Sequence, residues 1–129
     1  MKKIMILIIS LFFMFATIEA QRNINLSSAV PDTLSGAGNV LYTPNVKVEK
    51  YSGMVGFQIT YAGDTLKTVA LQGSFDNVSF TTVSSQDKDA GTYWLTEETP
   101  VYWYYRLSCT SASIDTVTIS DVHFIYKED

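Results

Sequence analysis

The chain has 129 residues, 47% of them hydrophobic, with nine Lys and Arg against thirteen Asp and Glu and a net charge of −4. Its few basic residues are scattered, which excludes a nucleic-acid interface, because phosphates demand grouped Lys and Arg. This length suits one domain, and Cys109, the sole cysteine, excludes an intrachain disulfide.

Residues 1–20 read as an export signal. Lys2 and Lys3 give a basic start, Ile4 to Ala16 is an apolar run broken only by Ser10, and Ala20 offers a small residue before Gln21 as a cleavage point. The run is shorter than the roughly 20 apolar residues that span a bilayer, so no stable membrane span is expected. A cleaved secretory peptide is the expectation, with a retained anchor or a tail buried in an assembly as the alternative. Loss of Lys2, Lys3 and Glu19 takes the charge from −4 to −5.

Residues 21–38 are polar, contain Pro31 and the stretch Ser35-Gly36-Ala37-Gly38, and are expected as an extended polar arm. From 39 to 129 the pattern changes to short runs of β-branched and aromatic residues separated by turn formers, at the spacing of a sandwich or barrel. Val46-Lys47-Val48-Glu49-Lys50 alternates with its charges outward, as an edge strand does. In the run from Val55 to Tyr61, Val55, Phe57, Ile59 and Tyr61 share one face. Ala62 to Thr65 supplies a turn, and Leu66 to Gly73 resumes the alternation with Val69 and Leu71 on one side.

Asp76-Asn77 interrupts the pattern before a strand expected from Val78 to Ser84, and Ser85 to Gly91 reads as a solvated loop. Thr92 to Thr96 follows as a short strand. Pro100 then marks the start of an aromatic strand running to Cys109, with Trp103, Tyr105, Leu107 and Cys109 on its core face. Val117 and Ile119 are out of phase with Val122, Phe124 and Tyr126, which predicts a β-bulge near Ser120-Asp121. The expected fold is all-β, an antiparallel sandwich of about eight strands with a jelly-roll or immunoglobulin-like outline.

Catalytic chemistry is not expected. Nucleophilic catalysis needs a base beside an activated Ser, Thr or Cys, and the one histidine, His123, reads as a sheet-surface residue on the last strand. Cys109 reads as a buried thiol acting as a small hydrophobe. Glu97, Glu98, Asp87 and Asp89 fall in surface turns where acids are solvated, and Lys88 intrudes on any calcium set in that loop. Gly36-Ala37-Gly38 is only a fragment of a phosphate-binding glycine pattern and leads into a strand. No metal site and no cofactor are expected.

The strongest residue-level signal is aromatic: Tyr93, Trp94, Tyr102, Trp103, Tyr104 and Tyr105 lie close in sequence. With Trp103 and Tyr105 facing the core, alternation puts Tyr102, Tyr104 and Arg106 on the opposite face. Such a face either supports the sheet through cross-strand pairs or forms a binding surface, since aromatics and Arg dominate hot spots and rings stack on sugars.

Leu71-Gln72-Gly73-Ser74-Phe75-Asp76-Asn77-Val78-Ser79-Phe80, followed by Tyr104-Tyr105-Arg106-Leu107, resembles a small β-sandwich module of tailed-phage virion proteins, over roughly residues 54–126. The resemblance implies a non-enzymatic structural or attachment part, such as a capsid decoration, head fibre or tail accessory protein, oligomeric and partnered by itself and other virion proteins. The alternative is an exported bacterial binding module that recognises glycans or a surface partner through the aromatic face. The corresponding locations are the virion, or the extracellular or periplasmic space.

Overall fold

The computed structural model describes residues 20–48, 53–63, 66–88, 90–112 and 116–128. The export signal read over residues 1–20 falls outside these but for Ala20.

Two five-stranded antiparallel sheets face each other. In the first, β10 (Val117–Glu128) lies between β5 (Met54–Gly63) and an edge formed successively by β1 (Ala20–Asn25) and β2 (Thr33–Leu34). Strand β8 (Gly91–Glu97) closes its other side against β5. In the second, β9 (Tyr104–Ser111) lies between β6 (Leu66–Ser74) and an edge shared by β3 (Val40–Tyr42) and β4 (Val46–Lys47), with β7 (Thr81–Lys88) beyond β6.

Among the described residues, the ten strand segments thus fill eight sheet positions. Numbered along the chain, those positions run 1-8-3-6 in one sheet and 2-7-4-5 in the other, which is jelly-roll order.

The alternation read from the sequence explains the core. Val55, Phe57, Ile59 and Tyr61 of β5 and Val122, Phe124 and Tyr126 of β10 point inward and meet Leu71 of β6 and Tyr105, Leu107 and Cys109 of β9. Phe124 packs on Phe57 at 4.8 Å between ring centroids and stacks on Tyr105 at 6.3 Å, which joins the two sheets. Full burial of each large apolar side chain stabilises the fold by about 1.5–3 kcal/mol before the entropy of ordering it is counted. The expected bulge is present: the β5–β10 register shifts between Ile119 and Asp121, leaving Ser120 as the extra residue.

Several elements differ from the sequence reading. Residues 20–34 are docked, with β1 and β2 hydrogen-bonded to β10 on either side of a 3-10 turn at Ser27–Ala29; Leu26, Val30 and Leu34 turn into the core and supply the apolar anchorage. An edge strand has one free side, so it forms from a largely polar segment. The same reason lets β7 continue through Ser84-Ser85-Gln86, read as partly loop, while its start moves to Thr81. Strand β9 begins at Tyr104, so Trp103 is not a core residue and stands 49% exposed.

Candidate functional site

The β6–β7 and β8–β9 loops come together at one end of the sandwich. Asp76 organises the first. Its Oδ1 accepts hydrogen bonds from the Ser79 amide at 2.8 Å, the Val78 amide at 2.9 Å and the Ser74 hydroxyl at 2.9 Å. Those donors, the Ser79 amide foremost, hold its carboxyl down at about 2 against an ordinary 3.8. The Asn77 amide in turn donates to Ser74 Oγ at 3.0 Å. Asn77 adopts φ of 62°, a left-handed conformation that Asn tolerates better than most residues, and its Oδ1 accepts from Asn45 Nδ2 at 2.8 Å. Residues 75–79 are thereby fixed while their side chains stay exposed, and Phe75 is presented 55% exposed.

Backbone bonds also fix the second loop. The Trp103 amide donates to the Ser74 carbonyl at 3.2 Å, and the Trp103 carbonyl accepts from the Val48 amide at 2.8 Å. Tyr102 lies flat over Gly73, where any Cβ would collide with its ring. The Tyr102 amide donates to Tyr105 Oη at 3.1 Å, and that hydroxyl donates to Glu97 Oε2 at 2.7 Å. Burial, reinforced by the Glu97 carboxylate, raises the Tyr105 phenol well above its ordinary range.

These two loops bring three rings together. Phe75 sits 4.8 Å from Tyr102 with planes tilted by 47°, and meets Trp103 edge-on at 6.5 Å and 84°. Beside them opens a cleft of about 280 Å³ lined by Phe75, Asp76, Ser79, Thr81 and Tyr102. It combines aromatic surface with hydroxyls and one carboxylate, the composition of a site that orients a small polar ligand on an apolar floor.

Of the three residues read as an aromatic face, only Tyr102 reaches this cleft, and it does so from the loop by closing the end of the core. Tyr104 and Arg106 follow on the outward side of β9. Arg106 is enclosed: its guanidinium carbon lies 4.0 Å from the Tyr42 ring centre and 3.9 Å from that of Phe80, and its Nε donates to Gln72 Oε1 at 2.8 Å. Both faces of the guanidinium plane are therefore occupied by the protein's own rings. Sequence alternation missed Phe75 and the exposure of Trp103, because both depend on where the strands stop. The signal available was the turn chemistry of Ser74, Asp76 and Asn77 next to an aromatic residue.

The remaining reactive groups lie elsewhere. Cys109 is enclosed in the core, and burial pushes its thiol up to about 12. His123 sits on the outer face of the other sheet, with Nδ1 2.9 Å from Asn23 Oδ1 and Nε2 3.4 Å from Asp121 Oδ1. Glu97, read as a solvated turn residue, is instead half-buried against Tyr105; Glu98 is exposed. The side chains of Asp87, Lys88 and Asp89 lie outside those described. Among the described residues, no group of three or more His, Cys, Asp or Glu could hold a metal ion.

The sequence matches no protein-family model and no curated protein. Solved structures share its fold. Chitosan-binding module 1 of a chitosanase/glucanase from Paenibacillus sp. IK-5 is 14% identical, with 82% of this chain and 93% of that one covered at a TM-score of 0.52. The module CpGH89CBM32-6 of Clostridium perfringens is 14% identical, with coverages of 87% and 97% and a TM-score of 0.53. The PBSX exported protein XepA is 15% identical and has a TM-score of 0.58, over 83% of this chain but 37% of its own length. At these identities the similarity is one of fold.

Proposed function

We propose that this chain is an exported, non-enzymatic β-sandwich module that binds glycans in the cleft between the β6–β7 and β8–β9 loops. The observation that carries the reading is the pair Phe75 and Trp103, large rings left 55% and 49% exposed on backbones that hydrogen bonds hold in place. Exposed rings on a rigid support suit stacking against the apolar face of a sugar, and Ser79, Thr81 and Asp76 supply hydrogen-bonding groups at its edge. Tyr102 forms part of the floor, while Tyr104 and Arg106 border and stiffen the adjoining strand. That the similar folds include a chitosan-binding module supports the same reading.

Calorimetric titration of the purified protein with a panel of soluble oligosaccharides tests it. Trp103→Ala and Phe75→Ala are each expected to keep the fold and weaken binding by about thirtyfold, the scale of a buried aromatic hot spot. Unchanged affinity in both variants would remove the cleft from consideration.

The virion structural reading rests on the resemblance of the Leu71–Phe80 and Tyr104–Leu107 segments. It predicts a stoichiometric oligomer, and a monomer by light scattering at micromolar concentration would count against it. The glycan reading is preferred because it accounts for the exposed rings of Phe75 and Trp103.

A further inference from the structure

Among the described residues, the cleft's lining carries charge of one sign only. Asp76 is the only carboxylate in that lining, and it is exposed there while its Oδ1 is committed to three loop donors. Among the described residues, no Lys, Arg or His lines the cleft. Two neighbouring charged groups are engaged by the protein itself: the Arg106 guanidinium lies against the rings of Tyr42 and Phe80, and Glu97 is bonded behind Tyr102 through Tyr105.

The aromatic walls add to the same bias. Phe75 and Tyr102 line the opening with ring planes tilted by 47° to each other, and ring faces attract cations. A carboxylate with spare lone pairs accepts hydrogen bonds and donates none, so its best partner is a charged donor. An acidic sugar would bring a like charge to Asp76 in the same small space, which acts against it.

We infer that the cleft selects a cationic amino sugar, a glycosyl unit bearing a free ammonium group, over its neutral N-acetylated form and over uronic acids. This rests on the glycan-binding reading and names the ligand class of that same site. The pyranose stacks on Phe75 with Trp103 beside it, and its ammonium lies against Asp76 and an aromatic ring face.

The test titrates the purified protein with three oligomers of matched length: glucosamine, N-acetylglucosamine and galacturonate. The glucosamine oligomer is expected to bind at least about tenfold tighter than the acetylated one, the scale of a charge-assisted hydrogen bond, and the uronate oligomer not measurably. Added salt lowers the first affinity. Raising the pH past the point where the sugar amine loses its proton lowers it too, while Asp76 stays ionised. Asp76→Asn keeps an oxygen for the loop amides, and is expected to bring the ratio between the first two oligomers close to one.

Equal or tighter binding of the neutral oligomer, still sensitive to Phe75→Ala, would overturn this inference and leave glycan binding standing. Binding of no oligomer in this or the wider panel would overturn both.

Discussion

Tyr105 of β9 donates its phenolic proton to Glu97 at the end of β8, a 2.7 Å bond that links the two sheets directly beneath the candidate cleft. The same oxygen accepts the Tyr102 amide, so one hydroxyl secures both a sheet-to-sheet contact and the loop that carries Tyr102 to the cleft and Trp103 beside it. Tyr105→Phe keeps the ring and its packing on Phe124 but leaves the amide and the carboxylate without this partner. Denaturant unfolding is expected to show a loss of about 1–3 kcal/mol. Oligosaccharide affinity should fall in parallel through disorder at Tyr102. A variant as stable as the wild type would show that water replaces the hydroxyl.

The contact between Gly73 and Tyr102 predicts a coupled pair. Gly73→Ala places a methyl group where the ring lies, and is expected to destabilise the fold by about 1–3 kcal/mol. In a Tyr102→Ala background the same methyl group enters the space the ring has left. A double-mutant cycle should therefore give an interaction of about 1 kcal/mol or more, and additive effects would mean that the ring moves aside freely.

Cys109 should be inert in the native protein. Its thiol is buried and stays protonated up to about 12 against an ordinary 9.0, so an aromatic disulfide reagent is expected to react only on unfolding. Between those two values the unfolded chain loses the thiol proton and the folded chain keeps it, so stability is full below 9 and declines as pH rises toward 12. The raised Tyr105 phenol acts in the same direction. Equilibrium unfolding of wild type and Cys109→Ala across alkaline pH isolates the thiol's share, since the variant should show a shallower decline.

Asp76 has the opposite sign. Its carboxyl is depressed from 3.8 to about 2, so the loop order it supports is complete above 3.8 and is lost as pH falls through about 2. Amide resonances of Val78 and Ser79 are expected to hold their shifts down to the lower value and then collapse toward random coil. Movement of both near 3.8 would show that the bonds to Oδ1 are not made in solution.

Arg106→Lys tests whether the guanidinium supports the sheet. Lysine retains the charge but cannot stack between Tyr42 and Phe80 while bonding Gln72, so a loss of about 1–2 kcal/mol is expected. Oligosaccharide affinity per folded molecule should change little. A large loss of affinity with unaltered stability would place Arg106 in the site itself.

Much of the architecture was legible because burial imposes a two-residue period that the sequence displays openly. Val55, Phe57, Ile59 and Tyr61 identify β5, and the phase change between Ile119 and Val122 locates the bulge at Ser120. Edge strands were harder to see. Strands β1 and β7 hydrogen-bond on one side only, so Gln21, Asn23, Ser84 and Ser85 are tolerated and the period fades. The cleft was the least legible part, because its geometry depends on strand ends. Alternation carried one residue too far reverses Trp103 from exposed to buried, and Phe75 follows the last residue of β6.

The bonds that place the two loops join main-chain groups to one another or to the side chains of Ser74, Asp76 and Tyr105: Trp103 to Ser74, Val48 to Trp103, the amides of Val78 and Ser79 to one carboxylate, and the Tyr102 amide to a phenol. None of them depends on the side chains at positions 75, 78, 79, 81 or 103. Those positions can therefore vary without a change in the course of the backbone, as the letters in a fixed printing frame can be reset. A scaffold of this kind acquires new recognition by single substitutions, each judged on binding alone because the folding requirement is met elsewhere in the chain.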